Sequence, residues 1–231
     1  MPEFILSLSI IPETGLSVGG SGNTGLRADK TIQRDIRNRP IIPASQLKGR
    51  LRHACETIVR AAGVPICRPP TPQTTCPHQA DVPLVKQGDG QETRLCPICR
   101  IFGSPWENSP LYFRDLAADQ ALSTIRPGIG LNRRRKVVQE NLLFFTETTA
   151  PAARPAFHNA EAVKGTLAEP GQALLLLAGL QIIRHWGGGK SRGQGWATLE
   201  ITARFDGGPL SLDQDKDKEA LAKWLQQQQN G

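Results

Sequence analysis

The sequence has no hydrophobic run long enough to cross a bilayer. Its longest apolar stretch, ALLLLAGL at Ala173–Leu180, falls far short of the roughly 20 residues that a membrane-spanning helix needs. A basic, apolar and cleavable start is also missing, and the only block of disorder-like composition is the glutamine-rich QQQQNG at the end. We therefore expect a globular, cytoplasmic protein whose 231 residues fold as a single domain, 1–231, with no membrane partner.

Two common phosphate-binding motifs are absent from the most glycine-rich segment, HWGGGKSRGQGW at 185–196. A P-loop requires a glycine where Arg184 stands, and the dinucleotide-binding fingerprint requires one where Thr198 stands. The sequence also lacks a recognisable nucleophile triad and a pair of carboxylates suited to acid–base chemistry. A small-molecule enzyme is therefore the least favoured class of function.

Positive charge, by contrast, is abundant. The chain carries a formal net charge of +7 and has a pI near 9.5, which favours a polyanionic partner without identifying one. Part of the charge is concentrated in the run Arg133–Lys136, and part lies in the glycine-rich segment at Lys190 and Arg192. Glycines give backbone amides close access to a ligand, so these cations can hold phosphate groups. Solvated basic turns are the alternative.

The hydrophobic pattern predicts an α+β fold. Apolar residues with helical spacing from Leu47 to Ala62 indicate a helix that Ser45 can cap, and this is the most clearly patterned element. Alternation over Trp196–Phe205 indicates a half-buried strand. Three further elements are predicted: a buried strand at Phe4–Ile11, a helix at Ala173–Trp186 that periodicity alone does not settle, and a C-terminal helix with Trp224 packed back.

The five cysteines divide into one and four. Cys55 falls on the core face of the predicted helix, where a small buried thiol is expected. The pair CPIC at 96–99 has the spacing of a zinc chelate, so we expect a structural Zn2+ site with no open coordination position. His78 competes with one cysteine for a ligand position, and unpaired, reduced thiols are the alternative. The four expected ligands lie in an insertion at 64–105: Cys67, Cys76, Cys96 and Cys99.

Three segments together resemble the RAMP superfamily of CRISPR systems, and within it the backbone subunits of type III effector complexes. They are RPIIPASQLKGRLR at 39–52, CPICRIFGS at 96–104 and GGGKSRGQGW at 187–196. The resemblance implies a ferredoxin-like, RNA-recognition-type domain with a glycine-rich loop that contacts guide RNA. It also implies a protruding thumb hairpin, which we place at 126–150 because a basic stretch is followed there by an aromatic strand.

The resemblance also implies partners and the residues that contact them. The expected partners are a guide RNA, a complementary target RNA and other RAMP subunits of the same assembly. The RNA-binding residues lie on the predicted helix, on the thumb and in the glycine-rich loop: Ser45, Lys48, Arg50, Arg133, Arg134, Arg135, Lys136, Gly188, Gly189, Lys190, Ser191 and Arg192.

The candidate catalytic residue is Asp29. In active subunits of this family an aspartate of the first long loop is followed, after four intervening residues, by an arginine and an acidic residue. Asp29 has that relation to Arg34 and Asp35 in DKTIQRD. The resemblance implies that Asp29 assists cleavage of the target RNA with Mg2+ or Mn2+, by helping a 2'-hydroxyl attack the adjacent phosphate. Many loop aspartates only cap turns, and we expect Asp35 to be structural, paired with Arg34 or Arg37.

Two other hypotheses stay open at this point. One is a non-catalytic RNA-binding subunit of the same assembly. The other is the stand-alone branch of the superfamily that processes guide RNA, which typically uses a histidine base. His53 is the only histidine near the expected place, and its position beside the core face of the helix favours a structural or exposed residue.

Overall fold

The chain forms a mixed α/β structure built on one antiparallel sheet. The computed structural model describes residues 1–19, 28–86, 92–119, 122–150 and 155–230, so 20–27 of the predicted first loop and 87–91 of the predicted insertion lie outside the described residues. The helices are α1 (Ala44–Ala61), α2 (Pro97–Phe102), α3 (Pro170–Ile182) and α4 (Asp215–Asn230). The strands are β1 (Glu3–Pro12), β2 (Ile41–Ile42), β3 (Leu84–Lys86), β4 (Glu92–Arg94), β5 (Leu111–Phe113), β6 (Leu116–Ala117), β7 (Ser123–Asn132), β8 (Val137–Thr149), β9 (Phe157–Thr166), β10 (Ala197–Phe205) and β11 (Gly208–Leu210).

The main sheet has the strand order β11-β10-β1-β9-β6-β2, and β5 also pairs with β9. Every pair in it is antiparallel. β1 lies at the centre because Phe4, Leu6, Leu8 and Ile10 alternate with less buried residues and face the core. α1 follows β1 and α3 follows β9, so two β-α-β units share the sheet in the order of a ferredoxin-like fold. The predicted α+β fold class is confirmed.

The first helix, α1, begins earlier than predicted and takes its cap from elsewhere in the chain. Ser45 does not cap the helix, because the N-cap residue is Pro43 and Ser45 lies exposed in the first turn. Instead the Asp115 carboxylate accepts a hydrogen bond from the Ala44 N–H at 2.7 Å, which satisfies one of the free amides at the helix start. The predicted core face is confirmed by the buried residues Leu47, Leu51, Ala54, Cys55 and Val59.

The second long helix, α3, is buried on nearly all sides because α1 packs against it on one side and α4 on another. Trp224 of α4 is buried against Gly171, as predicted for the C-terminal helix. The helix ends at Ile182 rather than at Trp186, because Ile183 is already extended and the chain turns back into the glycine-rich loop. No helix in the described part of the chain is long and apolar enough to cross a membrane.

A long two-stranded hairpin, β7 and β8, carries the basic run at its turn. The turn residues Arg133–Lys136 are all exposed, and the amides of two of them donate to the Asn132 side chain at 3.1 Å. Large apolar side chains are exposed along both strands, uncovered by the described residues: Ile125, Ile129, Leu131, Val137, Val138, Leu142, Leu143 and Phe145. The hairpin therefore presents a surface that is both apolar and cationic.

The cysteine-rich segment packs onto the sheet domain. Its buried residues, among them Cys67, Ile98 and Phe102, belong to the same core cluster as Leu51 of α1. The helix α2 begins at CPIC, with Cys96 as its N-cap residue and a proline at the first helical position. The short ladder between β3 and β4 lies in the same segment. The segment is therefore continuous with the main core.

Candidate nucleic-acid interface and metal site

The glycine-rich loop between α3 and β10 is a closed turn. Its ends meet where the Trp186 N–H donates to the Gly195 carbonyl at 2.8 Å. Between these ends, Lys190–Arg192 form a single 3-10 turn whose side chains are exposed. The path requires left-handed backbone at four glycines, all with φ between 71° and 80°: Gly187, Gly189, Gly193 and Gly195.

The glycine-rich loop packs against the first long loop, which lies between β1 and β2. The first long loop in turn contacts the hairpin of β7 and β8. The Gly188 N–H donates to the Ser17 carbonyl at 2.8 Å. One residue earlier, the Leu16 N–H donates to Oγ1 of Thr149 at 3.0 Å, and the Thr149 N–H donates to the Leu16 carbonyl at 2.9 Å. The glycine-rich loop, the first loop and the base of the hairpin therefore meet at one place.

Gly195→Ala is expected to destabilise the protein more than Gly193→Ala. Both residues have positive φ, so alanine at either one costs about 1–2 kcal/mol of backbone strain. A Cβ atom at Gly195 would also overlap the Trp186 carbonyl oxygen, whereas the space around Gly193 is open. We expect this overlap to lower the free energy of unfolding by about 1–3 kcal/mol more. Urea denaturation measures both variants, and equal losses would contradict a tightly closed loop.

The hairpin base supplies an aromatic surface to the glycine-rich loop. The guanidinium of Arg192 lies over the ring of Phe144 on β8, 5.3 Å from its centroid, which is a favourable cation–π distance. That ring lies across Gly128, the residue opposite it on β7, where a Cβ atom would overlap the ring. The next residue, Phe145, is exposed. Cations beside exposed rings are typical of surfaces that bind single-stranded nucleic acids.

A cleft of about 340 Å³ lies between α1, the end of α3 and the glycine-rich loop. Arg50 is fixed at its edge by a hydrogen bond to the Gly187 carbonyl at 2.9 Å. Burial, and then the charges of Lys190 and Arg50, lower the pKa of His185, so this ring is neutral at pH 7. Among the described residues that line the cleft, the ionisable ones are all basic: Arg50, His53, Arg184, His185 and Lys190. An anion is therefore the ligand that the cleft fits.

The cleft contains two residues that sequence reasoning did not assign to binding. Arg184 entered the sequence analysis only as the residue that breaks a P-loop, and His185 was part of a predicted helix. Both lie beyond the end of α3, where no periodic pattern indicates which way a side chain points. His53 lines the same cleft, and it is exposed, in agreement with the prediction of a structural or exposed residue.

Two of the predicted RNA-binding residues of α1 lie away from this cleft. Nζ of Lys48 is 5.6 Å from the centroid of the Phe113 ring, and burial, followed by the charge of Arg52, lowers its pKa. Ser45 is exposed in the first turn. Because Lys48 and Arg50 are two residues apart on a helix, their side chains leave α1 in different directions.

The basic run at the hairpin turn is a separate patch. Lys136 and Phe144 lie eight residues apart on the hairpin (144 − 136), which corresponds to about 27 Å along an extended strand. The structure therefore brings Arg50, Lys190 and Arg192 near one another, and it leaves Arg133–Lys136 at the other end of the hairpin.

Asp29 is exposed, and its carboxylate is anchored to the hairpin. Oδ2 accepts a hydrogen bond from the Phe145 N–H at 2.6 Å, and the Asp29 N–H donates to the Phe145 carbonyl at 2.9 Å. No described residue donates a hydrogen bond to the other oxygen, Oδ1. The predicted catalytic carboxylate thus lies beside the aromatic residues at the hairpin base, with one oxygen anchored.

Asp35 holds a turn, but its charged partner is Arg39 rather than Arg34 or Arg37. Its Oδ1 accepts the amide hydrogens of Arg37 and Arg39 at 2.9 and 2.8 Å, and its Oδ2 accepts a hydrogen bond from Nε of Arg39 at 2.8 Å. The hydrogen bond from the Arg39 amide is the main cause that lowers the pKa of Asp35, against the opposing effect of burial. The expected pairing was wrong because the turn brings residue 39 back to residue 35.

Arg34 pairs instead with Glu147 on β8, a residue that sequence reasoning did not single out. Nη2 of Arg34 lies 2.7 Å from Oε1 of Glu147, and Oε2 accepts the Ile32 amide hydrogen at 2.9 Å. Burial raises the pKa of Glu147, but hydrogen bonds from Ser123, the Ile32 amide and Arg34 outweigh it, so the pKa is lowered. Both oxygens of Glu147 bind the first loop to the hairpin, which distinguishes it from Asp29.

The four cysteines of the predicted insertion converge on one point. Their sulfur atoms lie within 4.8 Å of one another, and all four residues are buried. Sγ of Cys67 is 3.5 Å from that of Cys99 and 3.8 Å from that of Cys96, and all are free thiols. A tetrahedral ion with metal–sulfur bonds of about 2.3 Å needs sulfur atoms about 3.8 Å apart. The set fits one metal ion: Cys67, Cys76, Cys96 and Cys99.

Backbone amides support this arrangement of sulfur atoms. The Cys96 N–H donates to Sγ of Cys76 at 3.3 Å, and the Cys99 N–H donates to Sγ of Cys96 at 3.4 Å. His78 is not part of the cluster, because its ring packs edge-on against Trp106 with the centroids 4.8 Å apart. Of the two residues that competed for one ligand position, Cys76 is therefore the one that the fold selects.

Comparisons with known proteins give a matching family model and similar solved structures. A family model described as the RAMP superfamily matches residues 15–198. Comparison with curated proteins gives no match. Among solved structures, the chain is similar to a chain in a cryo-EM structure of the type III-B Cmr-beta bound to cognate target RNA, with 17% sequence identity and a TM-score of 0.56. The similarity covers 86% of this chain and 60% of that one, so this chain spans 60% of that relative's length.

Proposed function

Because the chain belongs to the RAMP superfamily, whose model matches residues 15–198, we propose that it is a guide-RNA-binding backbone subunit of a type III CRISPR effector complex. The observation that carries this proposal is the meeting of the glycine-rich loop with the hairpin base, where Arg192 lies over the Phe144 ring. Cations and exposed rings at one place match the phosphates and bases of single-stranded RNA. The similar chain comes from a type III-B assembly bound to target RNA, which supports the same assignment.

The guide RNA is expected to be held by its backbone. Arg50, Lys190 and Arg184 line the basic cleft and are suited to phosphate contacts, which fix the position of an RNA strand without reading its sequence. The exposed apolar residues of the hairpin, such as Leu131 and Leu143, call for a protein partner. Other RAMP subunits of the assembly are the partners that we propose for this surface.

The subunit is further proposed to cleave the complementary target RNA through Asp29. An exposed carboxylate whose Oδ1 accepts no hydrogen bond from any described residue would suit a hydrated Mg2+ or Mn2+ ion. When bound, such an ion neutralises charge on the phosphate that is attacked. In this proposal the Asp29 carboxylate takes the proton of the attacking 2'-hydroxyl. The new 2'-O–P bond forms as the P–O5' bond breaks, which gives a 2',3'-cyclic phosphate, and the leaving 5'-oxygen takes a proton from solvent water while Asp29 later returns its proton to solvent.

A second candidate is a non-catalytic subunit of the same assembly. The observation that favours it is the hydrogen bond at 2.6 Å from the Phe145 amide to Oδ2 of Asp29. An aspartate used in this way positions the first loop on the hairpin. This structural role is sufficient to account for an aspartate at position 29. The two candidates differ in whether the negative charge of Asp29 is needed, and this difference can be tested.

The metal ion of the four-cysteine cluster is proposed to be Zn2+. Four thiolates at tetrahedral spacing leave no coordination position open, so the ion has a structural role and takes no part in RNA cleavage. The insertion at 64–105 is expected to depend on it. Free thiols rather than disulfides suit a reducing compartment, which supports the cytoplasmic location that the sequence predicts.

Removal of the cations of the glycine-rich loop tests RNA binding. The double variant Lys190→Ala, Arg192→Ala should bind single-stranded RNA more weakly regardless of its sequence, because phosphate contacts carry no sequence information. The slope of log K against log salt should fall in magnitude by about 0.7 for each phosphate that the variant no longer binds. The same weakening is expected when Arg133–Lys136 are neutralised. Fluorescence titration of labelled RNA at several salt concentrations measures both quantities.

The control removes equal charge from another surface. Lys216 and Lys223 are exposed on α4, so Lys216→Ala, Lys223→Ala should leave the salt slope unchanged. If both double variants have the parental slope, the glycine-rich loop makes no phosphate contacts and the proposed guide-binding site is wrong.

A further inference from the structure

Arg52 of α1, the last residue of the motif at 39–52, makes contact with the four-cysteine cluster, and nothing above assigns it a role. Its Nη2 lies 3.7 Å from Sγ of Cys99, within hydrogen-bonding range for sulfur. Its Nη1 donates to the Gly103 carbonyl at 3.0 Å, at the end of α2. Its Nε lies 3.0 Å from Oε1 of Glu56, which orients the guanidinium from one turn further along α1. One side chain therefore holds a ligand sulfur and the end of the helix that carries it.

A metal-loaded cluster carries negative charge, which the guanidinium of Arg52 can compensate. Four thiolates and one divalent ion sum to a net charge of −2 (−4 + 2), in a place where all four ligands are buried. A buried anion is costly unless charged or polar donors compensate it. Amides supply neutral donors to Cys76 and Cys96. In the described part of the chain, Arg52 is the charged side chain that donates a hydrogen bond to a cluster sulfur.

A neighbouring arginine does not take this role. Arg100 follows Cys99 in the chain, but its guanidinium donates to the side chain of Gln228 on α4. Arg100 therefore connects α2 to the C-terminal helix. The hydrogen bond from a charged side chain to a cluster sulfur is made by Arg52.

We propose that Arg52 is a positioning residue of the metal centre, which fixes the Cys99 thiolate and compensates the negative charge of the loaded cluster. The proposal rests on the proposed metal site and is independent of RNA binding. Outer partners of metal ligands typically change metal affinity by about 10–100-fold when they are removed.

The test uses the full chain with Co2+ as a spectroscopic probe and Zn2+ as competitor. Arg52→Met should bind Zn2+ about 10–100-fold more weakly than the parental protein. Its thiolate-to-Co2+ charge-transfer band should move to lower energy, because loss of the N–H···S hydrogen bond leaves the Cys99 sulfur richer in electrons. A role in folding alone would not move this band. The matched control is Arg60→Met, since Arg60 is half exposed and only approaches Glu56, at 4.0 Å.

The outcomes distinguish the proposed metal centre from the proposed role of Arg52. If the parental protein gives no four-thiolate Co2+ spectrum, the metal centre itself is wrong. The role of Arg52 is overturned by a different result, in which the parental protein gives that spectrum but Arg52→Met shows an unshifted band. In that result the Zn2+ affinity of Arg52→Met would also lie within about twofold of the parental value, instead of changing as expected for an outer partner of a metal ligand. Should Arg52→Met fail to fold, Arg52→Gln decides by its Zn2+ affinity alone, because it keeps a hydrogen-bond donor but loses the charge: weaker binding is expected, and a parental affinity would overturn the role of Arg52.

Discussion

Asp29→Ala is expected to lower the rate of target-RNA cleavage by about 100-fold or more at the sites that this subunit serves, which is the usual cost of losing a general base or a metal ligand. Guide and target binding should persist, because a group used in the transition state contributes to the rate without contributing equally to ground-state affinity. The measurement is a reconstituted complex with guide, labelled complementary RNA and Mg2+ or Mn2+, scored site by site.

The matched variant for this experiment is Asp29→Asn. Asparagine keeps a side-chain oxygen that can accept the hydrogen bond of the Phe145 amide, but it has no negative charge. If the charge acts in cleavage, Asp29→Asn should be as slow as Asp29→Ala. If Asp29→Asn cleaves at the parental rate while Asp29→Ala does not, the residue only anchors the first loop and the non-catalytic subunit is the better assignment.

A metal-free reaction separates the remaining hypothesis. Leaving Mg2+ and Mn2+ out of the reaction, without a chelator that would also remove the structural metal, should abolish cleavage if Asp29 works with a divalent ion. Cutting of RNA that persists without metal would instead implicate a histidine base, and His53 with His185 in the basic cleft would be the residues to replace first. That result would withdraw the target-cleavage mechanism proposed for Asp29.

Cys96→Ser or Cys99→Ser should release the structural metal. Either change leaves three of the four thiolates, and the free energy of binding a structural Zn2+, about 10–16 kcal/mol in zinc-finger peptides, is also folding free energy for the segment that it closes. Amide hydrogen exchange in residues 67–99 should accelerate, whereas α1 should stay protected because its core face packs on α3. Elemental analysis together with hydrogen exchange tests both parts.

The fifth cysteine provides the control. Cys55 is buried between α1 and α3 and is not among the clustered sulfurs, so Cys55→Ala should keep its metal even if its stability falls. Parental protein purified without a chelator that contains no zinc would refute the assignment of the metal. Loss of metal from Cys55→Ala would show that the cluster depends on the general stability of the core.

The parts of the fold that sequence predicts are those with a local pattern. The alternation in β1 and the helical spacing in α1 follow from which residues face the core, and the spacing of CPIC reflects how two thiolates reach one ion. Each signal is contained within fewer than 20 consecutive residues, as is typical of single elements. The glycine-rich loop was also identified locally, since only glycines suit its left-handed backbone.

The parts that sequence does not predict depend on contacts between distant residues. Asp115 caps a helix that begins 71 positions earlier, and Glu147 pairs with Arg34 from 113 positions away. The role of Arg52 depends on a sulfur 47 positions further on. No spacing rule connects such partners, because the fold alone brings them together. The anchoring of Asp29 by the hairpin was missed for the same reason. Because of this anchoring, the test of Asp29 needs the Asp29→Asn variant beside Asp29→Ala.

The central position of β1 also constrains how the nascent chain folds on the ribosome. β1 is made first, yet both of its neighbours come late, since Phe4 pairs with Gly165 on one side and with Phe205 on the other. Pairings of such long sequence separation form slowly, and they must wait until most of the chain has been synthesised. The four cysteines of the proposed metal site all precede β9, so a nascent chain that binds this ion can do so before its central sheet exists. Metal supply during translation, rather than after release, should then govern the yield of folded protein.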